Sequence, residues 1–154
     1  MDDTAFWDLI AKLDWNNEGD DEKVVEPLVM ALAALPDSAI AAFQNDLASK
    51  LYALDGRAWA RESGSGIWWG EPDKLSVDGF LYARLAVVAN GRAFYESVLS
   101  DPTAMPKDGE FESLLYVASK AYECKTGLDD AGDLDMTDVS FETFSNEDGW
   151  APET

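Results

Sequence analysis

The sequence contains no histidine and only one cysteine, Cys124. Without histidine the chain has no Ser-His-Asp or Cys-His catalytic arrangement, and it lacks the commonest general base near neutral pH. One thiol forms no intrachain disulfide and supplies only a single thiolate to a zinc ion. We therefore predict that the protein is not an enzyme and that it uses neither a cofactor nor a structural metal.

Long apolar runs are also missing. The longest, from Leu28 to Leu35, is far shorter than the roughly 20 residues that cross a bilayer. The opening, Met1 to Thr4, has no basic n-region and no apolar h-region, so we expect no Sec signal. Scarce cysteine is typical of a reducing compartment, and we expect a cytoplasmic protein.

Basic residues are scarce: 11 Lys and Arg stand against 31 Asp and Glu, which gives a net charge of −20. Small soluble domains usually carry a magnitude of about 2–8. The charge is uneven, because residues 1–26 hold nine acids and two lysines, and residues 128–154 hold nine acids and no base. Such a surface repels nucleic acid and anionic membranes and attracts basic partners. The alternative is that the acidity serves only solubility or adaptation to salt.

Apolar residues recur at helical spacing along most of the chain, and no strand pattern of any length competes. We predict an all-α bundle of about six or seven helices in one domain over residues 1–127. The expected helices cover residues 4–14 (with Thr4 as N-cap), 21–35, 38–54, 57–62, 77–90 (with Ser76 as N-cap), 92–100 and 110–126 (closed by Gly127). The third has the clearest pattern, with apolar residues at spacings of three and four: Ile40, Phe43, Leu47, Leu51 and Leu54. Pro27 lies inside the second, so either that helix begins near Pro27 or it is kinked there.

Residues 128–154 are predicted to form an irregular acidic tail. Apolar side chains are nevertheless spaced through it, namely Met136, Val139, Phe141, Phe144 and Trp150. A wholly solvated tail rarely contains so many aromatic residues, so we expect this tail to dock partly on the helical domain.

Two segments are candidate binding sites. The run from Asp14 to Gly19 has oxygen side chains at positions one, three and five and glycine at six, as calcium loops do. Its twelfth position is Val25, where a calcium loop needs a bidentate glutamate, so an ordinary acidic turn is favoured. Trp68 and Trp69 lie in a glycine-rich loop, where exposed tryptophans favour partner contact; alternatively, both fold back onto the helices as a lid.

Several motifs in order resemble one known family. They are Phe6-Trp7-x-Leu9-Ile10, Leu28-x-x-x-Leu32-x-x-Leu35-Pro36, Ser76-x-Asp78-x-Phe80-x-x-x-Arg84, and Phe111-x-x-Leu114-Leu115-Tyr116-Val117-Ala118-x-x-Ala121-Tyr122. This series is similar to the bacterial domain of unknown function 4240 (DUF4240) over most of residues 4–127. The chain departs from the family pattern between Trp59 and Ser76, where the loop is expanded. The resemblance implies no established activity and no catalytic residues.

These observations favour a binding or inhibitory protein that engages a basic macromolecular partner, in its sharpest form an immunity protein or a nucleic-acid mimic. In a mimic, carboxylates occupy the positions that phosphates would otherwise fill. The candidate partner-binding residues are Asp20, Asp21, Glu22, Trp68, Trp69, Asp129, Asp130, Asp133, Asp135 and Asp138. The alternative is a regulatory or housekeeping helical domain whose acidity serves only solubility.

Overall fold

The computed structural model describes residues 1–127 and 137–152. Within these residues the backbone forms α-helices, short 3-10 helices and one isolated β-bridge, and no strand. The prediction of an all-α fold is confirmed. The α-helices are α1 Asp3–Ile10, α2 Asp21–Ala33, α3 Asp37–Ala53, α4 Arg57–Ala60, α5 Val77–Ala89, α6 Arg92–Ser100, α7 Val117–Thr126 and α8 Glu147–Trp150. The 3-10 helices are Trp15–Asn17, Pro102–Ala104 and Glu112–Tyr116.

Side-chain caps account for several helix starts. Ser76 was predicted to cap α5, and its hydroxyl accepts a hydrogen bond from the N–H of Gly79 at 3.1 Å. The prediction that Thr4 caps α1 is wrong. Asp2 is the cap instead, since its carboxylate accepts from the N–H of Ala5 at 2.7 Å. The helix therefore begins one residue before Thr4, and an ionised cap also suits the positive end of the helix dipole.

Helix α2 begins at Asp21 and continues through Pro27 to Ala33. Asp20 caps its first turn, and four apolar residues on both sides of the proline, Val24, Val25, Leu28 and Leu32, are buried. Burial of each such side chain is worth about 1.5–3 kcal/mol. Together these contributions offset the backbone hydrogen bond that Pro27 cannot donate, which is why the helix does not begin at the proline.

Only the second part of the last predicted helix, over residues 110–126, is an α-helix. Residues Glu112–Tyr116 form a 3-10 helix, and the α-helix begins at Val117. The N–H of Phe111 donates to the carbonyl of Tyr82 at 3.1 Å, so this backbone group lies outside any helix. The end is as predicted: Gly127 adopts the left-handed conformation, with φ of 75°, that closes a helix.

The described chain forms two units. The first contains Met1–Ala48 and the described part of Glu112–Asp138, and the second contains Ser49–Phe111 and the described part of Val139–Thr154. In the first unit α2 packs against α7. Its core contains Phe6, whose ring stacks on Phe43 with centroids 5.2 Å apart. Aromatic pairs of this kind add about 0.5–1.5 kcal/mol beyond the area they bury.

In the second unit, α5 is almost entirely buried from Phe80 to Ala89, and this stretch includes Arg84. The Arg84 guanidinium lies 4.8 Å from the centroid of the Phe80 ring. It donates to the carbonyls of Leu51 and Phe141, each at 3.0 Å, and to the Thr143 hydroxyl at 2.9 Å. These three hydrogen bonds offset part of the cost of burying the cation, whereas its Nε has no hydrogen-bond partner among the described residues. Arg84 therefore joins the end of α3 to residues 141–143.

A buried carboxylate makes the next set of contacts. Asp55 accepts hydrogen bonds from the backbone N–H groups of Phe144 at 3.1 Å and Asn146 at 2.9 Å. It also accepts one from the indole of Trp150 at 2.8 Å. The Trp150 ring packs edge-on against Phe80, with centroids 5.9 Å apart. Residues 141–150 are thus held to the rest of the second unit by buried polar groups and by an aromatic contact.

Candidate binding surface

The acidic start of α2 is exposed. Asp20, Asp21 and Glu22 all face solvent, and Asp20 both caps the helix and lies 3.9 Å from the ammonium of Lys23. Because both partners of that pair are more than half exposed, it contributes little to stability. Three successive carboxylates at a helix N-terminus are stabilised by the helix dipole, and they remain accessible to a partner.

A groove of about 650 Å³ lies between α2 and α7 in the first unit. Three exposed glutamates line it, Glu22 and Glu26 from α2 and Glu123 from α7. The remaining lining residues are Val25, Val29, Met30, Lys120, Cys124 and Gly127. Of the candidate residues that the structure describes, Glu22 alone lines this groove, so the acidic start of α2 continues into a concave surface.

The groove also has an apolar part. Val25 and Val29 are buried beneath it, whereas the side chain of Met30 is 57% exposed. Cys124, the only cysteine of the chain, is an exposed free thiol in the same groove. Apolar groups beside charged ones are typical of macromolecular contact surfaces, which combine an apolar centre with a polar rim.

The glycine-rich loop of residues 63–75, which we call the tryptophan loop, is held in a hairpin-like conformation in the second unit. Trp68 pairs with Leu75 in the isolated bridge, and the N–H of Trp69 donates to the carbonyl of Lys74 at 3.0 Å. The Trp69 indole donates to the carbonyl of Ser65 at 2.8 Å. Its ring is nevertheless 57% exposed, while Trp68 is half-buried. The two residues thus differ, and only Trp69 presents most of its surface to solvent.

The acidic tail is described only in part. Asp129, Asp130, Asp133 and Asp135 lie outside the described residues. Asp138 is exposed and makes a reciprocal pair with Asn45 of α3: its backbone N–H donates to the Asn45 amide oxygen at 2.8 Å, and its carboxylate accepts from the Asn45 amide nitrogen at 3.2 Å. The candidate residues therefore divide between the units, since Asp20, Asp21, Glu22 and Asp138 belong to the first and the tryptophans to the second.

The calcium-like run adopts a 3-10 turn. The two carboxylate oxygens of Asp14 accept from the N–H of Asn16 at 3.1 Å and from the side-chain amide of Asn17 at 2.7 Å. Asp14 thus caps Trp15–Asn17. Across residues 1–127 and 137–152, no three Cys, Asp or Glu side chains are grouped closely enough to hold a metal ion.

Sequence reasoning missed most of the groove, because its residues come from helices about 90 positions apart in the chain. One signal was present in the sequence. Met30 is an apolar residue next to the buried Val29, at a helical position that faces solvent. No spacing within α2 or α7 alone predicts which residues of the other helix lie opposite, because that depends on how the two helices pack.

None of the helices in the described parts of the chain combines the length and the hydropathy of a bilayer-spanning segment. No curated protein and no solved structure matches the chain. A family model does match, over residues 1–124. The order of motifs from Phe6 to Tyr122 predicted that family, and the prediction is confirmed. The chain belongs to the DUF4240 family, which is described as a protein family of unknown function.

Proposed function

We propose that the protein is a non-catalytic binding protein that engages a basic macromolecular partner through its acidic surface. Its sharpest form is an immunity protein or a nucleic-acid mimic that blocks a basic nuclease or DNA-binding protein. The observation that carries the proposal is the exposed acidic start of α2, which continues into the concave surface between α2 and α7. Carboxylates held on a helix would take the places of phosphates in the partner's binding site.

Charge supports the same function. With 31 acids against 11 bases, the long-range field of the protein attracts cationic partners and repels anionic ones. Such a field mainly accelerates association and suppresses the wrong partners. If the charge served only solubility, its effect would not depend on where the acids lie. Partner binding does depend on their positions, and this difference makes the proposal testable.

The first experiment is affinity capture from lysate of the source cells at low and at high salt. We expect one basic protein to be recovered at low salt and lost at high salt. The captured protein is then purified, and its association rate with the chain is measured in isolation. Recovery of only the weak mixture that any acidic protein collects would favour the housekeeping alternative.

The second experiment tests whether the start of α2 contacts the partner. The variant Asp20→Asn, Asp21→Asn, Glu22→Gln removes three exposed negative charges from the start of α2. We expect its association rate with the purified partner to fall by about tenfold, because steering by a charged patch is worth about 10 to 10³. The control variant removes the same charge from exposed acids elsewhere, namely Asp8→Asn, Asp73→Asn and Asp148→Asn. Equal slowing in both variants would mean that only total charge matters.

The tail residues have their own test. Changing Asp129, Asp130, Asp133 and Asp135 to asparagine is expected to slow association with the same partner. An unchanged rate would remove the tail from the proposed surface.

A further inference from the structure

We infer that the groove between α2 and α7 receives a short amphipathic helix of the basic partner. In this arrangement the apolar face of the incoming helix packs on Met30, and its Lys or Arg side chains pair with Glu22, Glu26 and Glu123. The inference rests on the proposed function, because it specifies where the basic partner binds and in what form.

The length of the groove suits a helix of about two turns. Along α2 its lining extends from Glu22 to Met30, and on the other side from Lys120 of α7 to Gly127, the residue that closes that helix. At 1.5 Å rise per residue these stretches are about 12 Å and 10 Å long. A volume of about 650 Å³ holds several side chains from one face of a helix. An amphipathic helix laid in a groove between helices is a recurrent mode of peptide recognition.

The spacing of the acids also suits a helix. Glu22 and Glu26 are four residues apart, so they lie one turn apart on the same face of α2. Glu123 lines the groove from the α7 side. Lys or Arg side chains spaced three or four apart on an incoming helix would therefore find a carboxylate at each turn. A nucleic acid or an acidic peptide would instead be repelled by all three glutamates.

The local charge balance favours a cation-bearing occupant. Among the described residues, the charged side chains that line the groove are three glutamates and one lysine, Lys120. Within residues 1–127 and 137–152, none of these glutamates forms a salt bridge with a lysine or arginine. An incoming Lys or Arg would therefore gain an attraction without breaking an existing pair.

Met30 provides the apolar anchor. More than half of its side chain is exposed beside the groove, so an incoming Leu, Ile or Phe would remove apolar surface from water on both partners. The flexible thioether side chain adapts to different apolar shapes, as it does on other helix-binding surfaces. The charges alone would accept any cation, and Met30 is what selects a cationic helix that also has an apolar face.

Cys124 reports occupancy directly, because the only thiol of the chain is exposed inside the groove. The rate at which it reacts with a neutral maleimide is measured alone and with three synthetic probes. One probe is an amphipathic Leu/Lys helical peptide, the second has the same composition in a scrambled order, and the third is an oligolysine of equal charge. We expect the amphipathic peptide alone to slow the reaction, by about tenfold at saturation, with the protection lost at high salt.

Two variants check the mechanism. Met30→Lys is expected to weaken binding of the amphipathic peptide about tenfold, which corresponds to about 1.4 kcal/mol. Since Met30 is exposed, this variant is expected to keep the circular dichroism spectrum and the Tm of the wild-type protein. In the double variant Cys124→Ser, Ala93→Cys the thiol moves to an exposed position on α6, and its labelling rate is expected to be unaffected by the peptide.

The outcomes separate the two proposals. If all three basic probes bind equally and none protects Cys124, the helix-in-groove inference is wrong while the acidic surface still binds cations. If binding of the amphipathic peptide is unchanged by Met30→Lys, the apolar anchor is wrong. If no basic probe binds at low salt and lysate capture yields no basic partner, both this inference and the proposed function fail.

Discussion

The buried carboxylate of Asp55 accepts a hydrogen bond of 2.8 Å from the indole nitrogen of Trp150, which is 95 positions later in the chain. The same carboxylate accepts from two backbone N–H groups, those of Phe144 and Asn146. Hydrogen bonds to an ionised group are about twice as strong as neutral ones. Asp55 thus connects the turn after α3 to the residues before and within α8.

Replacing Asp55 by asparagine should strongly destabilise the second unit. Both carboxylate oxygens accept hydrogen bonds, so an amide nitrogen at either position would face a donor. We expect the free energy of unfolding in urea to fall by about 2–4 kcal/mol. Asp148→Asn, an exposed change in α8, is the control, with an expected loss below about 0.5 kcal/mol. Equal losses in the two variants would contradict this role of Asp55.

Arg84→Lys should also destabilise, although it keeps the charge. A lysine ammonium is a single point and lacks the fork that reaches two carbonyls and a hydroxyl at once. We expect a loss of about 2–3 kcal/mol in urea unfolding. The control is Arg92→Lys on α6, whose partner Glu96 is exposed and lies 3.0 Å away, with a loss below about 0.5 kcal/mol. A small loss for Arg84→Lys would mean that one donor is sufficient.

The pH dependence that Arg84 contributes has a defined sign. Burial lowers the pKa of Arg84 from its ordinary value to about 10, and the charges of Asp55 and Glu142 oppose that change. Between these two values the unfolded chain binds the proton and the folded chain does not, so this contribution to stability rises with pH. At lower pH both states are protonated and the contribution is constant. From about pH 7 to about pH 9 we therefore expect the difference in unfolding free energy between the wild-type protein and the Arg84→Met variant to stay constant. A sloping difference would contradict this.

Two glycines of the tryptophan loop provide a matched pair. Gly64 and Gly70 both have positive φ, of 110° and 98°. A Cβ at Gly64 would lie 2.5 Å from the carboxylate and 2.7 Å from the backbone nitrogen of Asp108, whereas one at Gly70 would meet nothing within 4 Å. We expect Gly70→Ala to cost about 1 kcal/mol for backbone strain alone and Gly64→Ala to cost clearly more. Thermal unfolding of both variants tests the difference, and equal Tm values would contradict it.

Alanine substitutions of the two tryptophans of that loop should differ in their effects on stability. Trp69→Ala removes a ring that is 57% exposed, and we expect the free energy of unfolding to fall by less than about 1 kcal/mol. Trp68→Ala removes a half-buried ring and is expected to cost about 2 kcal/mol or more. Urea unfolding of both variants makes the comparison. If Trp69→Ala also lowers the affinity for the captured partner while Tm is unchanged, Trp69 is part of the contact surface.

Much of the helical architecture follows from local sequence. The apolar residues of α3 repeat at intervals of three and four, and the predicted ones, Ile40, Phe43, Leu47 and Leu51, are all buried. Ser76 and Gly127 lie where a cap and a helix end were predicted. These features were accessible because periodicity and capping depend only on residues within a turn or two.

The start of the last helix was not predictable in the same way. Its acids and apolar residues suit an α-helix from residue 110, yet the α-helix begins at Val117. The competing contact is the hydrogen bond from Phe111 to the carbonyl of Tyr82, on α5. Tertiary contacts routinely override a weak local preference of this kind.

By itself, the sequence determined that the chain is helical and strongly acidic and that it carries the motifs of its family, because composition, charge and helical periodicity are local properties. Only the tertiary structure decided that Asp55 and Arg84 are buried and that each is hydrogen-bonded to residues 141–150 in the second unit. It also decided that Glu123 and Cys124 lie across a groove from Glu22 and Met30. Such pairs depend on how helices distant in sequence pack, and the free energy of packing is shared among many side chains rather than encoded in any one segment.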